Sequence, residues 1–111
     1  MSKNQVGIDL ELIESRSPSF YKEVFTESER ELISENDKLG TIYWTAKEAF
    51  SKAIGEGFHG NFRDVELKYD EKKRKFTLIT KKDQPEFNKK FKTLRLKSEF
   101  TEKYVLSYCE I

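Results

Sequence analysis

Residues 44–58, WTAKEAFSKAIGEGF, decide how this chain is read. Ile42, Ala46, Ala49, Phe50 and Ala53 recur at helical spacing and make one apolar stripe. Thr41, just after Gly40, is the predicted cap, and the helix is expected to run to about Ile54, where Gly55 and Gly57 close it. Glu48 and Lys52 are four residues apart, so they share a face off the centre of the stripe. Taken alone they are an ordinary exposed pair, worth a few tenths of a kcal/mol at most.

The chain upstream gives that pair company. Val6, Ile8, Leu10 and Leu12 alternate with Gly7, Asp9, Glu11 and Ile13, the period-two pattern of a strand with one buried face. Asp9 and Glu11 therefore point to the same side, and a helix crossing that side brings Glu48 beside them. Three carboxylates at close range repel one another and have raised pKa values unless a cation sits among them. Hard oxygen ligands suit magnesium, which binds through a few carboxylates together with substrate phosphates, and Lys52 supplies a point charge for phosphate. The expected ligand is a magnesium-bound pyrophosphate.

The remaining segments place this pattern in an α+β chain, with residues 1–111 expected to form a single domain. Residues 18–36 suit two short helices; Phe20, Val24 and Phe25 share a face of the first, and Thr26-x-x-Glu29 is a capping box for the second. Val65–Tyr69 and Phe76–Thr80 read as a hairpin, and Thr93–Lys97 and Tyr104–Glu110 as final strands. Lys81–Lys92 reads as a loop or a short amphipathic helix.

Composition narrows the function classes. A net charge of +1 excludes the strong positive charge of a typical nucleic-acid binder. The first 60 residues hold seven Lys/Arg against eleven Asp/Glu and the rest fourteen against nine, so a basic C-terminal half could dock an acidic partner. The single cysteine, Cys109, allows no internal disulfide and no cysteine zinc site, and no apolar run has membrane-spanning or signal-peptide character. A cytoplasmic protein with no membrane partner is expected.

Val6-Gly7-Ile8-Asp9-Leu10-Glu11 followed by Trp44-Thr45-Ala46-Lys47-Glu48-Ala49-Phe50-Ser51-Lys52-Ala53 resembles the G-[IV]-D and W-x-x-K-E-A-x-x-K motifs of the 4′-phosphopantetheinyl transferases. Phe20 and Phe25-Thr26-Glu27-Ser28-Glu29 resemble the segment between the two motifs, and Gly55-x-Gly57 with Phe62–Leu67 resembles the segment after the second. The resemblance covers about the first two-thirds of the chain. It implies that family's fold, an antiparallel sheet packed against a long helix plus short helices. It also implies transfer of the 4′-phosphopantetheine arm of coenzyme A to a serine of an apo acyl or peptidyl carrier protein. By that likeness Asp9, Glu11 and Glu48 hold magnesium, Glu48 removes the serine proton directly or through a metal-bound water, Lys52 binds phosphate, and Lys47, Gly55 and Gly57 lie near the coenzyme. The length resembles that of the short members, which are trimers, so self-association as a trimer is expected. The glutamate two residues after Asp9 and the thirty-nine residues from Asp9 to Glu48 are more similar to the long members.

Other positions depart from the pattern. Short members carry Ser-x-[ST]-His-[ST] before the last strand, whereas residues 98–102 read Ser-Glu-Phe-Thr-Glu. Glu23, Glu27, Glu29, Glu31 and Glu35 stand where a basic docking face for an acidic carrier is expected, which leaves Arg16, Lys22 or residues 81–97 for that task. His59, the single histidine, reads as a surface residue, Trp44 as a packing residue, and Lys47 alternatively as a solvated neighbour of Glu48. Two rival functions stand beside the transferase: a catalytically impaired relative that binds coenzyme A or a carrier, and a non-catalytic interaction module acting through the basic half.

Overall fold

The computed structural model describes residues 5–55, 62–79, 89 and 91–111. Strand β1 (Val6–Leu12) is followed by the short helices α1 (Pro18–Val24) and α2 (Glu27–Ile33), the long helix α3 (Asp37–Ile54) and a 3-10 turn at Phe62–Asp64. Strands β2 (Leu67–Asp70), β3 (Lys75–Leu78), β4 (Arg95–Phe100) and β5 (Tyr104–Glu110) complete the order. One antiparallel sheet runs β1-β5-β4-β3-β2, with α3 lying across β1 and β5. The α+β expectation holds, and the first and last strands are sheet neighbours because Val6 pairs with Glu110 and Leu12 with Tyr104.

Each helix begins where a polar side chain takes up backbone donors that the first turn leaves unpaired. Ser17 accepts from the Phe20 N–H, with Pro18 in the first turn. Thr26 and Glu29 form the reciprocal capping box read from the sequence. Helix α3 differs from expectation at its start: Asn36, not Thr41, is the cap, accepting from the Leu39 N–H, and Gly40 and Thr41 lie inside the helix. The Thr41 hydroxyl instead donates to the Asp37 carbonyl at 2.8 Å. At the other end Gly55 has φ +69°, a left-handed conformation that glycine adopts without a Cβ penalty.

The core lies between α3 and the inner face of the sheet. Ala46, Ala49, Phe50 and Ala53 of the predicted stripe are buried, with Val105 and Cys109 of β5, Leu96 of β4, Phe76 of β3 and Leu67 of β2 facing them. Burial pushes the Cys109 thiol up to about 12. Small alanines let α3 approach the sheet closely. The approach is closest at Gly7, where an added Cβ would run into the backbone of Ala49 and Ala53.

That approach reverses the hydrophobic reading of β1. Its inner face carries Gly7, Asp9 and Glu11, while Val6, Ile8, Leu10 and Leu12 stand 45–61% exposed on the outer face. The register places Ile8 opposite Tyr108, Leu10 opposite Leu106 and Leu12 opposite Tyr104, so an apolar stripe crosses two strands of the outer sheet surface. On the same outer face β4 carries Arg95, Lys97 and Glu99. The hairpin forms as expected over a shorter span; Thr80 and most of 81–92 lie outside the described residues. The fourth strand runs two or three residues later than predicted, through Phe100.

Candidate functional site

Asp9, Glu11, Glu48 and Lys52 converge where the inner face of β1 meets the C-terminal half of α3. Asp9 is fixed in mid-strand by pairing with Ser107 and is only 5% exposed. Lys52, in the last turn of α3, donates from Nζ to Asp9 Oδ1 at 2.7 Å. The second carboxylate oxygen, Oδ2, is buried and meets no hydrogen-bond donor while its acidic neighbours are ionised. A buried carboxylate oxygen without a donor is costly, and a cation relieves that cost.

The electrostatics follow from this crowding. Burial, the hydrogen bond that a protonated Glu11 gives to Asp9 and the Asp9 charge push Glu11 up to about 7, while Arg16 pulls the other way and Glu48 adds to the rise. Glu48 is half-buried; burial and the Asp9 charge raise its pKa, opposed by Lys52. The hydrogen bond to Asp9 raises the pKa of Lys52. Glu48 and Glu11 thus both sense Asp9 from opposite elements, as the sequence spacing implied.

Arg16 is a component the sequence reading assigned to carrier docking. Its guanidinium is turned inward: Nη1 donates to Thr41 Oγ1 at 2.9 Å and to the Glu14 carbonyl at 3.0 Å. Nη2 lies 3.8 Å from Glu11 Oε1, and the side chain is 11% exposed. The threonine at position 41, read as a cap, is what fixes this cation beside the carboxylates.

Lys47 departs from both readings offered for it. It is neither a solvated neighbour of Glu48 nor a coenzyme-facing cation, because its side chain is 1% exposed beneath α2. Nζ lies 2.6 Å from Glu29 Oε1 and donates to the carbonyls of Val24, Phe62 and Val65 at 2.8–2.9 Å. An ammonium has three N–H donors, and these four oxygens share them. Glu29 in turn accepts from the backbone N–H groups of Thr26 and Leu67, both at 2.8 Å. The pair ties α1, α2 and the segment before β2 to α3 one residue from Glu48. Gly55 caps the helix next to the site; Gly57 and His59 lie outside the described residues.

Carboxylates on two elements, one with an unpartnered buried oxygen, fit a hard divalent cation of the magnesium kind, which completes its shell with water and phosphate oxygens. Among the described residues no three acidic, histidine or cysteine groups form a ligand cluster by themselves. Protein carboxylates would therefore supply only part of the shell. Among the described residues no helix is long and apolar enough to cross a membrane.

Residues 5–109 match the family described as the 4′-phosphopantetheinyl transferase superfamily. The chain is similar to the holo-[acyl-carrier-protein] synthase of Caldicellulosiruptor saccharolyticus, with 41% identity over 73 residues. That match spans 59% of this chain and 59% of that relative. It is 32% identical over 99 residues to the synthase of that name from Pelagibacter ubique, covering 78% of this chain and 77% of the relative. Among solved structures, the Chronobacterium ammoniagenes ACPS–CoA complex superposes with a TM-score of 0.71 at 25% identity, covering 98% of this chain and 96% of that one.

Proposed function

Because the chain belongs to the 4′-phosphopantetheinyl transferase superfamily, we propose that it transfers the 4′-phosphopantetheine arm of coenzyme A to a serine of an apo acyl or peptidyl carrier protein. The observation that carries the reading is the Asp9–Lys52 contact at 2.7 Å beside Glu48, which brings residues of the two family motifs together. The similar proteins named as holo-[acyl-carrier-protein] synthases, and the neighbour solved with CoA, support the substrates.

In this reading the serine oxygen attacks the phosphorus bearing the pantetheine arm. The new P–O bond replaces the pyrophosphate bridge, and 3′,5′-adenosine bisphosphate departs with the bridging oxygen. Glu48 takes the serine proton: burial and the Asp9 charge raise its pKa, which makes its carboxylate a stronger base. Lys52 holds a phosphate oxygen through its half-exposed ammonium. Asp9, Glu11 and Glu48 do not form a complete ligand cluster by themselves, so they would hold magnesium together with coenzyme phosphate oxygens, and the ion when bound neutralises the pyrophosphate charge. Gly55 ends α3 without a side chain, leaving the backbone there open to the coenzyme. Lys47 takes no part in binding and holds the helix that carries Glu48.

Self-association completes the proposal. The exposed apolar stripe of β1 and β5, including Ile8, Leu10 and Leu106, is a surface that water disfavours, and burying it between copies of this chain supports a trimer. The free, buried Cys109 supports a reducing cytoplasm.

The test is intact-mass spectrometry of several apo carrier proteins incubated with coenzyme A, magnesium and this protein. A gain of about 340 Da, present with the unmutated protein and lost with Glu48→Gln, is the expected result. No gain on any carrier, with coenzyme A still bound, favours an impaired relative instead.

A further inference from the structure

We propose that Lys52 is a displaceable counter-cation of Asp9, so that the metal and the coenzyme phosphates load this site as a coupled pair. The inference rests on the transferase reading and concerns how its site fills.

The two partners differ in freedom. Asp9 is 5% exposed and held in β1 between its pairing to Ser107 and the packing of α3. Lys52 is 52% exposed, at the end of α3, with a flexible stem that can carry its ammonium elsewhere. Its Nζ sits 2.7 Å from Oδ1, on the carboxylate whose other oxygen, Oδ2, is buried without a donor. Arg16, the other cation beside these acids, is fastened by Thr41 and the Glu14 carbonyl and cannot follow.

A lysine ammonium and a divalent ion both held against one carboxylate repel each other strongly in a half-buried setting. A metal ion entering alone must therefore compete with Lys52. When coenzyme phosphate is present, Lys52 gains an anionic partner and its departure from Asp9 no longer strands a charge. Each ligand then strengthens the other, and linkage requires the coupling to be equal in both directions.

The probe is manganese binding to the whole protein without coenzyme, followed by titration calorimetry and by the paramagnetic signal of the free ion. Lys52→Met is expected to bind manganese alone about fivefold or more tighter than the unmutated protein, and Lys52→Arg to bind it like the unmutated protein. Adding 3′,5′-adenosine bisphosphate should tighten manganese in the unmutated protein more than in Lys52→Met. The idea is overturned if Lys52→Met binds manganese equally or more weakly, or if neither protein binds it. It is overturned equally if binding survives Asp9→Asn, since the ion then sits elsewhere. No carrier protein enters these measurements, so failure of the transfer reading, seen as no mass gain, is distinguishable from failure here.

Discussion

The Lys47 ammonium lies 2.6 Å from the Glu29 carboxylate with both side chains buried, and it joins α3 to the capping box of α2. Removing one partner leaves the other charged and sealed from water. Lys47→Met is expected to lower stability by about 3–5 kcal/mol, whereas pairing it with Glu29→Leu should recover a substantial part. Urea unfolding of the single and double variants checks this. Equal losses in both would mean that the backbone bonds of Lys47, rather than the ion pair, dominate.

At Gly7 an added methyl group would meet the backbone of Ala49 and Ala53, which cannot rotate away. Gly7→Ala should therefore push β1 from α3 and cost about 1–3 kcal/mol or more. Because Asp9 and Lys52 sit on those two elements, activity per folded molecule should fall as well. Thermal unfolding beside the carrier mass assay separates the two effects.

Glu11 contributes to the pH dependence of stability, alongside Glu29 and Glu48, whose pKa values are also raised. Its pKa rises in the fold from 4.5 to about 7, so the folded state binds more protons than the unfolded chain across that interval. Stability contributed by this group is present below the lower value and is lost as pH climbs through the upper one. With chelator present, the unfolding temperature should drop between pH 5 and 8. Magnesium at pH 8 should restore it, since a cation favours the ionised carboxylate. A flat profile in chelator would indicate that Glu11 ionises normally.

The outer face of β1 yields a prediction about assembly. Ile8→Glu and Leu10→Lys each place charge at positions 53% and 61% exposed, where a monomer has no reason to object. Each variant should keep its fold by circular dichroism yet shift light-scattering mass to that of one chain. Retention of a larger mass in both variants would assign association to another surface.

How much of this was legible in the sequence depended on whether the signal was local. The Thr26–Glu29 capping box, the stripe on α3 and the Gly55 terminus depend on neighbours a few residues away, and each formed as read. Glu11 and Glu48 both lie near enough to Asp9 to sense its charge, because period two and period 3.6 fix faces wherever the chain goes, but the three do not form a ligand cluster by themselves. Which face of β1 turns inward was not local. Alternation marks two faces, and here Gly7 decides between them by admitting α3, against the hydrophobicity of its neighbours. The fates of Lys47 and Arg16 were hidden for the same reason: their partners, Glu29 and Thr41, are remote in sequence and had local explanations of their own. Asn36 escaped notice as a cap because Gly40 suggested a break that the helix instead buries.

Cys109, sealed under α3 with its thiol pushed up to about 12, has a practical consequence for studying motion at the site. At neutral pH it offers almost no thiolate to an alkylating dye. A second cysteine introduced on the exposed turn before β5, at Lys103, could then be tagged selectively with the native thiol left in place. Fluorescent reporters can thus be attached without disturbing the sheet.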